Sequence, residues 1–235
     1  MTEPQSAWIS VEVPDGTMDA YLVRPSGGSG PGIVMLQEIF GVNAAMRAKA
    51  ADFAAAGYVV LVPDVFWRLE PRVDLAYTEA DRTKAFSLMQ ALDWPKALGD
   101  IAAAYEALKG IDGVDTAPAF VGYCLGGKLA VLAGAKVGDA SAVVSFYGVR
   151  LDENIEQIKA LPCPVSIHVG DDDAHVPTDV VDTLKEALAG EDGVEISVYP
   201  GAQHGFFNRL RTDVYDAEAS NKAWAKAMEV LPTPA

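Results

Sequence analysis

Ala119-Phe120-Val121-Gly122-Tyr123-Cys124-Leu125-Gly126-Gly127-Lys128 is the stretch from which the rest of the chain is read. An apolar run enters a turn flanked by glycines, a single cysteine stands at the apex, and helix-forming residues follow. This is the layout of a nucleophile elbow, in which small flanking residues let a strained strand-to-helix turn lift one side chain above a sheet. The usual hydroxyl is replaced by a thiol. Most free cysteines are small buried hydrophobes, but this setting argues otherwise. A helix N-terminus and a nearby imidazole would both lower a thiol pKa from about 8.5 toward neutrality. Cys163, between Pro162 and Pro164 at the start of a strand, reads as packing.

Working outward, short apolar runs alternate with segments of helical spacing. Trp8 to Val13 and Met18 to Val23, joined at Asp15-Gly16, read as an antiparallel hairpin. Strands are expected at Ile33 to Leu36, Tyr58 to Val62, Phe120 to Tyr123, Ala142 to Tyr147, Val165 to Val169 and Val194 to Tyr199. Helices are expected from Ala44 to Ala56, capped by Asn43, and from Thr78 to Leu92. Others run from Trp94 or Pro95 to Leu108, from Gly126 to Lys136 and within Glu153 to Lys159. The last two run from a Thr178 cap to Leu188 and from Asp213 to Val230. The fold class is therefore α/β: a mainly parallel central sheet with helices on both faces and an N-terminal antiparallel hairpin, in a single domain over 1–235.

Composition narrows the function. Half of the 235 residues are apolar and the formal net charge is −15, which opposes nucleic acid or an anionic membrane as a partner. Two cysteines form no paired framework, residues 1–10 lack a cationic start with an apolar core, and the longest apolar stretch is broken by glycines and Lys128. A cytoplasmic protein, monomeric or weakly dimeric, is expected.

In sheets of this kind ligands bind beyond the carboxyl ends of the strands. Glu38, Asp64, Cys124, Tyr147, Asp173 and His204 lie there. An acyl-transfer thiol needs a base, and the base needs an orienting acid. Asp171-Asp172-Asp173 follows one late strand and His204 the next, so nucleophile, acid and histidine come in the chain order expected for such a sheet. The third aspartate, Asp173, is preferred as orienter; Asp171 and Asp172 read as solvated turn residues. The aspartates beside His175 could suggest a metal, but no carboxylate–histidine set recurs at ligand spacing, so neither metal nor cofactor is expected. The oxyanion donors expected are the backbone N–H groups of Leu125 and Ile39. Glu38 ends an apolar strand near the site, and its residue type fits a solvated loop acid as well as a working one.

These residues resemble the dienelactone hydrolase (carboxymethylenebutenolidase) family of the α/β-hydrolase superfamily. The resemblance is densest in Gln37-Glu38-Ile39-Phe40-Gly41-Val42-Asn43, in Gly122-Tyr123-Cys124-Leu125-Gly126-Gly127, and around Asp173 and His204. It implies cofactor-free hydrolysis of a small unsaturated lactone, dienelactone to maleylacetate, in aromatic catabolism, through a Cys124–His204–Asp173 triad and a cysteine acyl-enzyme. It further implies that Glu38 takes part in activating the thiol and that Arg82 binds a substrate carboxylate. Phe40, Tyr147 and Arg209 are further candidate substrate contacts. The chain departs from the family where a second carboxylate-binding arginine is expected: Asn208 stands there, with Arg209 adjacent, and Gly205 stands where a serine is expected. A broader small carboxylesterase or thioesterase is the alternative within enzymes, and a non-catalytic hydrolase-like binding protein is the alternative outside them.

Overall fold

Runs of β-branched and aliphatic residues form the strands, and a computed structural model describes residues 4–234. The chain divides into two compact units, one of residues up to Pro118 with the C-terminal Thr233 and Pro234, the other from Ala119 to Pro232. In the first unit, β1 (Gln5–Val13) and β2 (Gly16–Arg24) form the hairpin, with Val13 opposite Gly16. The strand order continues to β4 (Val59–Pro63), antiparallel to β2, and then β3 (Gly32–Leu36), parallel to β4. Every residue of β3 and β4 is buried, as their unbroken apolar sequence requires of strands covered on both faces.

Helix α1 (Ala44–Ala55) packs on β4 and β2, and α3 (Trp94–Lys109) on β1, β3 and β4. Asn43 caps α1 by accepting the Met46 N–H, and Asp93 caps α3 through Lys96. Between β4 and α2 (Glu79–Gln90), residues 65–72 run through turns and a bend, and Asp74 bridges to Gly41. Asp64 accepts the N–H groups of Phe66 and Arg72, and burial raises its carboxyl pKa to about 6 despite those bonds. Buried Asp100 on α3 accepts Trp67 Nε1 at 2.8 Å and two bonds from Arg68 at 2.7 and 2.8 Å, which fixes the same excursion.

The second unit orders its strands β5 (Ala119–Tyr123), β6 (Val143–Phe146), β7 (Val165–Gly170) and β8 (Val194–Tyr199), all parallel. Helix α4 (Leu125–Val137) lies against β5 and β6. A 3₁₀ turn (Leu151–Asn154) leads into α5 (Ile155–Lys159), followed by α6 (Thr178–Ala187) and α7 (Ala217–Val230), which packs on β7. No helix among the described residues is long and apolar enough to cross a membrane.

Several boundaries differ from expectation, among them the start of β1 at Gln5 rather than Trp8 and the end of α2 at Gln90 rather than Leu92, and three further ones have a local cause. Thr178 is the first helical residue of α6 rather than its cap; Pro177 occupies the cap position, with no side-chain bond. Helix α7 starts at Ala217, because Asp216 and not Asp213 accepts the first-turn N–H, from Ala219. The strand expected up to Tyr147 stops at Phe146, since Tyr147 adopts φ 41°.

One polar group sits deep in the second unit. His168 on β7 contacts Tyr199 Oη at 2.9 Å through Nδ1 and Ser166 Oγ at 3.1 Å through Nε2, and stacks on Phe146. Burial, with a smaller push from the Lys226 charge, lowers its pKa to about 3. A histidine held neutral in the fold contributes stability that is present above its unfolded value near 6.5 and is lost as pH falls toward 3. Denaturation measured from pH 7 down to pH 4 is expected to lose up to about 3 kcal/mol through this ring. In His168→Gln the slope over that range should flatten, and an unchanged slope would show that other groups carry the acid sensitivity.

Candidate active site

The elbow is built from close backbone approach. A Cβ on Gly122 would lie 1.9 Å from Gly126 O, and one on Gly127 would lie 2.5 Å from Ser145 Oγ and 2.6 Å from Gly148 Cα. Only glycine permits these contacts. Cys124 is left at φ 56°, ψ −116°, a sparsely populated conformation that costs of the order of 1–3 kcal/mol for a residue with a side chain. The surroundings hold it there: its N–H donates to Phe146 O at 3.0 Å and its C=O accepts from Gly127 at 3.0 Å. Leu125 is the first residue of α4, so its N–H is one of the helix's first-turn donors, at the end where the peptide dipoles favour negative charge.

The same unit brings Asp173 and His204 together. Asp173, in the turn after β7, has a fully buried side chain whose Oδ1 accepts the N–H groups of His175 (2.8 Å) and Val176 (3.1 Å). His204, in the turn after β8, places Nδ1 2.8 Å from Asp173 Oδ2 and 3.1 Å from Oδ1. With Nδ1 engaged, Nε2 is the buried nitrogen left for proton transfer. Burial is the largest single influence on the ring and favours its neutral form. The charge of Cys124, the Asp173 hydrogen bond and a hydrogen bond with Cys124 together outweigh it, raising the His204 pKa to about 10. Thiol and imidazole are thus coupled within one unit.

Tyr147, a candidate substrate contact, is fully buried and lies edge-on to His204 (ring centroids 5.0 Å) and Phe206 (5.6 Å). It packs against the His204 ring and offers no open surface. Asp171 and Asp172 are exposed, accepting Gly201 N–H and Gln203 Nε2 and so tying the two turns together. His175 meets His204 ring to ring at 4.7 Å. Asn208 is buried and folds its own turn by accepting the Leu210 N–H, while Arg209 is exposed. Cys163 is half-buried, and burial raises its thiol to about 11, an unreactive setting.

The first unit holds the other candidates. Glu38, 5% exposed, accepts the Tyr77 hydroxyl at 3.0 Å on Oε2 and has Lys49 Nζ 3.7 Å from Oε1. Phe40 packs edge-on to the Tyr77 ring at 4.6 Å, and Ile39 beside it is buried. Arg82, exposed on the first turn of α2, donates its Nε to Tyr77 O at 3.3 Å. Gly41 follows at φ 80°, where a Cβ would strike Val73 O at 1.9 Å. Glu38, Phe40 and Arg82 therefore converge on Tyr77, which sequence reasoning missed; nothing in its local pattern marks it. Lys49 was also missed but had a signal, since it sits on the apolar stripe Met46, Lys49, Ala50, Phe53 of α1.

A model of the dienelactone hydrolase family matches residues 18–234. The chain is similar to an Azospirillum brasilense protein assigned as a carboxymethylenebutenolidase, at 37% identity over 196 residues that cover 82% of this chain and 83% of that one. It is similar to the carboxymethylenebutenolidase of Pseudomonas putida, at 32% identity over 225 residues covering 95% and 94%. Among solved structures, a Klebsiella pneumoniae protein assigned as a dienelactone hydrolase superposes with a TM-score of 0.87 at 26% identity, covering 97% of this chain and 98% of that one.

The coupling between Cys124 and His204 has a direct readout. In Cys124→Ala the charge and hydrogen bond that raise the imidazole disappear, so an NMR titration should give a His204 pKa clearly below its wild-type value of about 10. An unshifted value in that variant would show that Asp173 alone sets the ring's protonation.

Proposed function

The chain belongs to the dienelactone hydrolase family and is an ester or lactone hydrolase with the α/β-hydrolase fold, and from that premise we propose that it opens a small unsaturated lactone through a Cys124 acyl-enzyme. The observation that carries the reading is the geometry of one unit: Cys124 stands at the apex of a glycine-built elbow at φ 56°, and buried Asp173 holds His204 through Nδ1 at 2.8 Å. A thiolate and an imidazolium are the reacting pair.

The thiolate sulfur attacks the lactone carbonyl carbon, and the resulting oxyanion is met by the N–H groups of Leu125 and Ile39. The ring C–O bond breaks, the enolate leaves and takes the Nε2 proton, and a thioester remains on Cys124. The neutral imidazole then removes a proton from water as the water oxygen attacks the thioester. The C–S bond breaks, and the acid product and the thiolate are released. An enolate is a better leaving group than an alkoxide, which suits a sulfur nucleophile that is itself readily expelled. Asp173 holds the ring in register throughout.

Glu38 acts on this cycle as a restraint. An ionised carboxylate close to a thiol disfavours the thiolate through like charge, so in the resting enzyme it opposes the pull of His204 on the thiol. A substrate anion paired with Arg82 relieves that restraint and lets Glu38 take the proton. This role rests on the family resemblance of the Gln37–Gly41 segment. The second reading, a carboxylesterase of broader range, is favoured by Asn208, which is buried and spent on its own turn where a second carboxylate-binding arginine is expected.

Cys124→Ala is expected to lower kcat/KM by at least about 10³-fold while leaving the melting temperature within a few degrees of wild type. Retained turnover in the folded variant would refute the acyl-enzyme. Run on a carboxylated dienelactone and on a neutral aryl ester, the same assay separates the two readings. A preference for the anionic lactone that Arg82→Ala removes supports the first; equal rates on both substrates support the broader esterase.

A further inference from the structure

Lysine is rarely buried unless an anion accompanies it. Lys49 is 4% exposed, on the apolar stripe of α1, and its ammonium lies 3.7 Å from Glu38 Oε1, too far for a good hydrogen bond but close enough for strong attraction in a poorly solvated setting. The other carboxylate oxygen accepts the Tyr77 hydroxyl at 3.0 Å. Tyr77 is in turn met by Asn43 Nδ2 at 3.3 Å, and Asn43 is the N-cap of the helix that carries Lys49. Cap and lysine on one helix therefore bear on opposite oxygens of one carboxylate, so the register of α1 sets both the place and the charge of Glu38.

We propose that Lys49 is a positioning residue that helps keep Glu38 ionised and fixed, and that this buried ammonium supports the ability of Glu38 to restrain the thiol and later receive its proton. The inference rests on the proposed role of Glu38 toward Cys124 and adds what supports that role. A carboxyl group this buried tends to neutralise by taking a proton when no cation accompanies it. A protonated Glu38 neither repels a thiolate nor accepts a proton from a thiol. Loss of Lys49 should then reproduce loss of the Glu38 charge, with two effects of opposite sign: a resting thiol that alkylates faster and a turnover that runs slower.

The test compares wild type, Lys49→Met, Lys49→Arg, Glu38→Gln and the Glu38→Gln/Lys49→Met pair, each checked for folding by circular dichroism. Iodoacetamide inactivation at pH 7 and kcat and KM on a hydrolysed ester are read for each. Lys49→Met and Glu38→Gln should each speed alkylation and reduce kcat by about tenfold with KM changed less than about threefold, and the pair should match Glu38→Gln alone, as expected of residues acting through one another. Lys49→Arg should behave like wild type. Should Lys49→Met fail to fold, Lys49→Gln, which keeps a polar end, carries the same comparison. The proposal is overturned if Lys49 variants leave both rates unchanged while Glu38→Gln alters them, or if Lys49→Met depresses both rates by the same factor with or without Glu38. If Glu38→Gln itself moves neither rate, the restraint role of Glu38 fails instead and takes the dependent role of Lys49 with it.

Discussion

Backbone passing backbone at the end of β5 governs the second unit. Gly122 runs so close to Gly126 that no side chain fits between them, and Gly127 is pressed in the same way against Ser145 and Gly148. With both approaches made, the intervening residues have one course available, and Cys124 is carried into a positive-φ conformation it would otherwise avoid. The cost is offset by the ladder around it. Cys124 N–H reaches Phe146 O, Tyr147 N–H reaches His168 O at 2.7 Å, and the parallel strands β5 to β7 are buried along their lengths. A thiol displayed from a helix N-terminus is the direct result, and its position owes little to the side chain itself.

Around that fixed point, charge is handled by burial with pairing. Asp173 is fully buried yet satisfied by two backbone N–H groups and the His204 ring, so its carboxylate has little freedom to turn. Glu38 in the first unit follows the same logic with different partners, a tyrosine hydroxyl on one oxygen and a lysine ammonium beside the other. Both acids are rigid because each oxygen is committed, and rigidity of this kind gives preorganised electrostatics in a catalyst. His168 is the contrasting case. It is a buried imidazole with two hydroxyl partners and no carboxylate, and it is held neutral. The difference between His168 and His204 lies entirely in their neighbours.

Much of this was legible in the sequence, for identifiable reasons. Unbroken apolar runs such as Ile33 to Leu36 have one reading in an α/β chain, and the glycine-flanked Cys124 announces a turn with a close approach. The family resemblance of the elbow and of the Gln37–Gly41 segment agrees with the family match over residues 18–234. Helix ends were less legible where several capping residues compete. Asp213 and Asp216 are equally good caps by composition, and the ion pair of Asp213 with Arg211 leaves Asp216 to cap α7. Tyr77 was invisible because its importance comes from two long-range contacts, to Glu38 and Phe40, neither of which has a local signature. Lys49 could have been noticed as the one charge on the stripe that also holds Met46 and Phe53, although its partner could not.

The central claim is that sulfur of Cys124 carries the acyl group, and the most direct measurement is mass spectrometry of enzyme quenched in acid within milliseconds of mixing with an activated ester. The expected result is an acyl increment on the peptide containing Cys124, formed with the first equivalent of released alcohol and removed by hydroxylamine. Release of alcohol by the folded protein with the increment on another residue, or with no increment on that peptide at any time, would contradict the account.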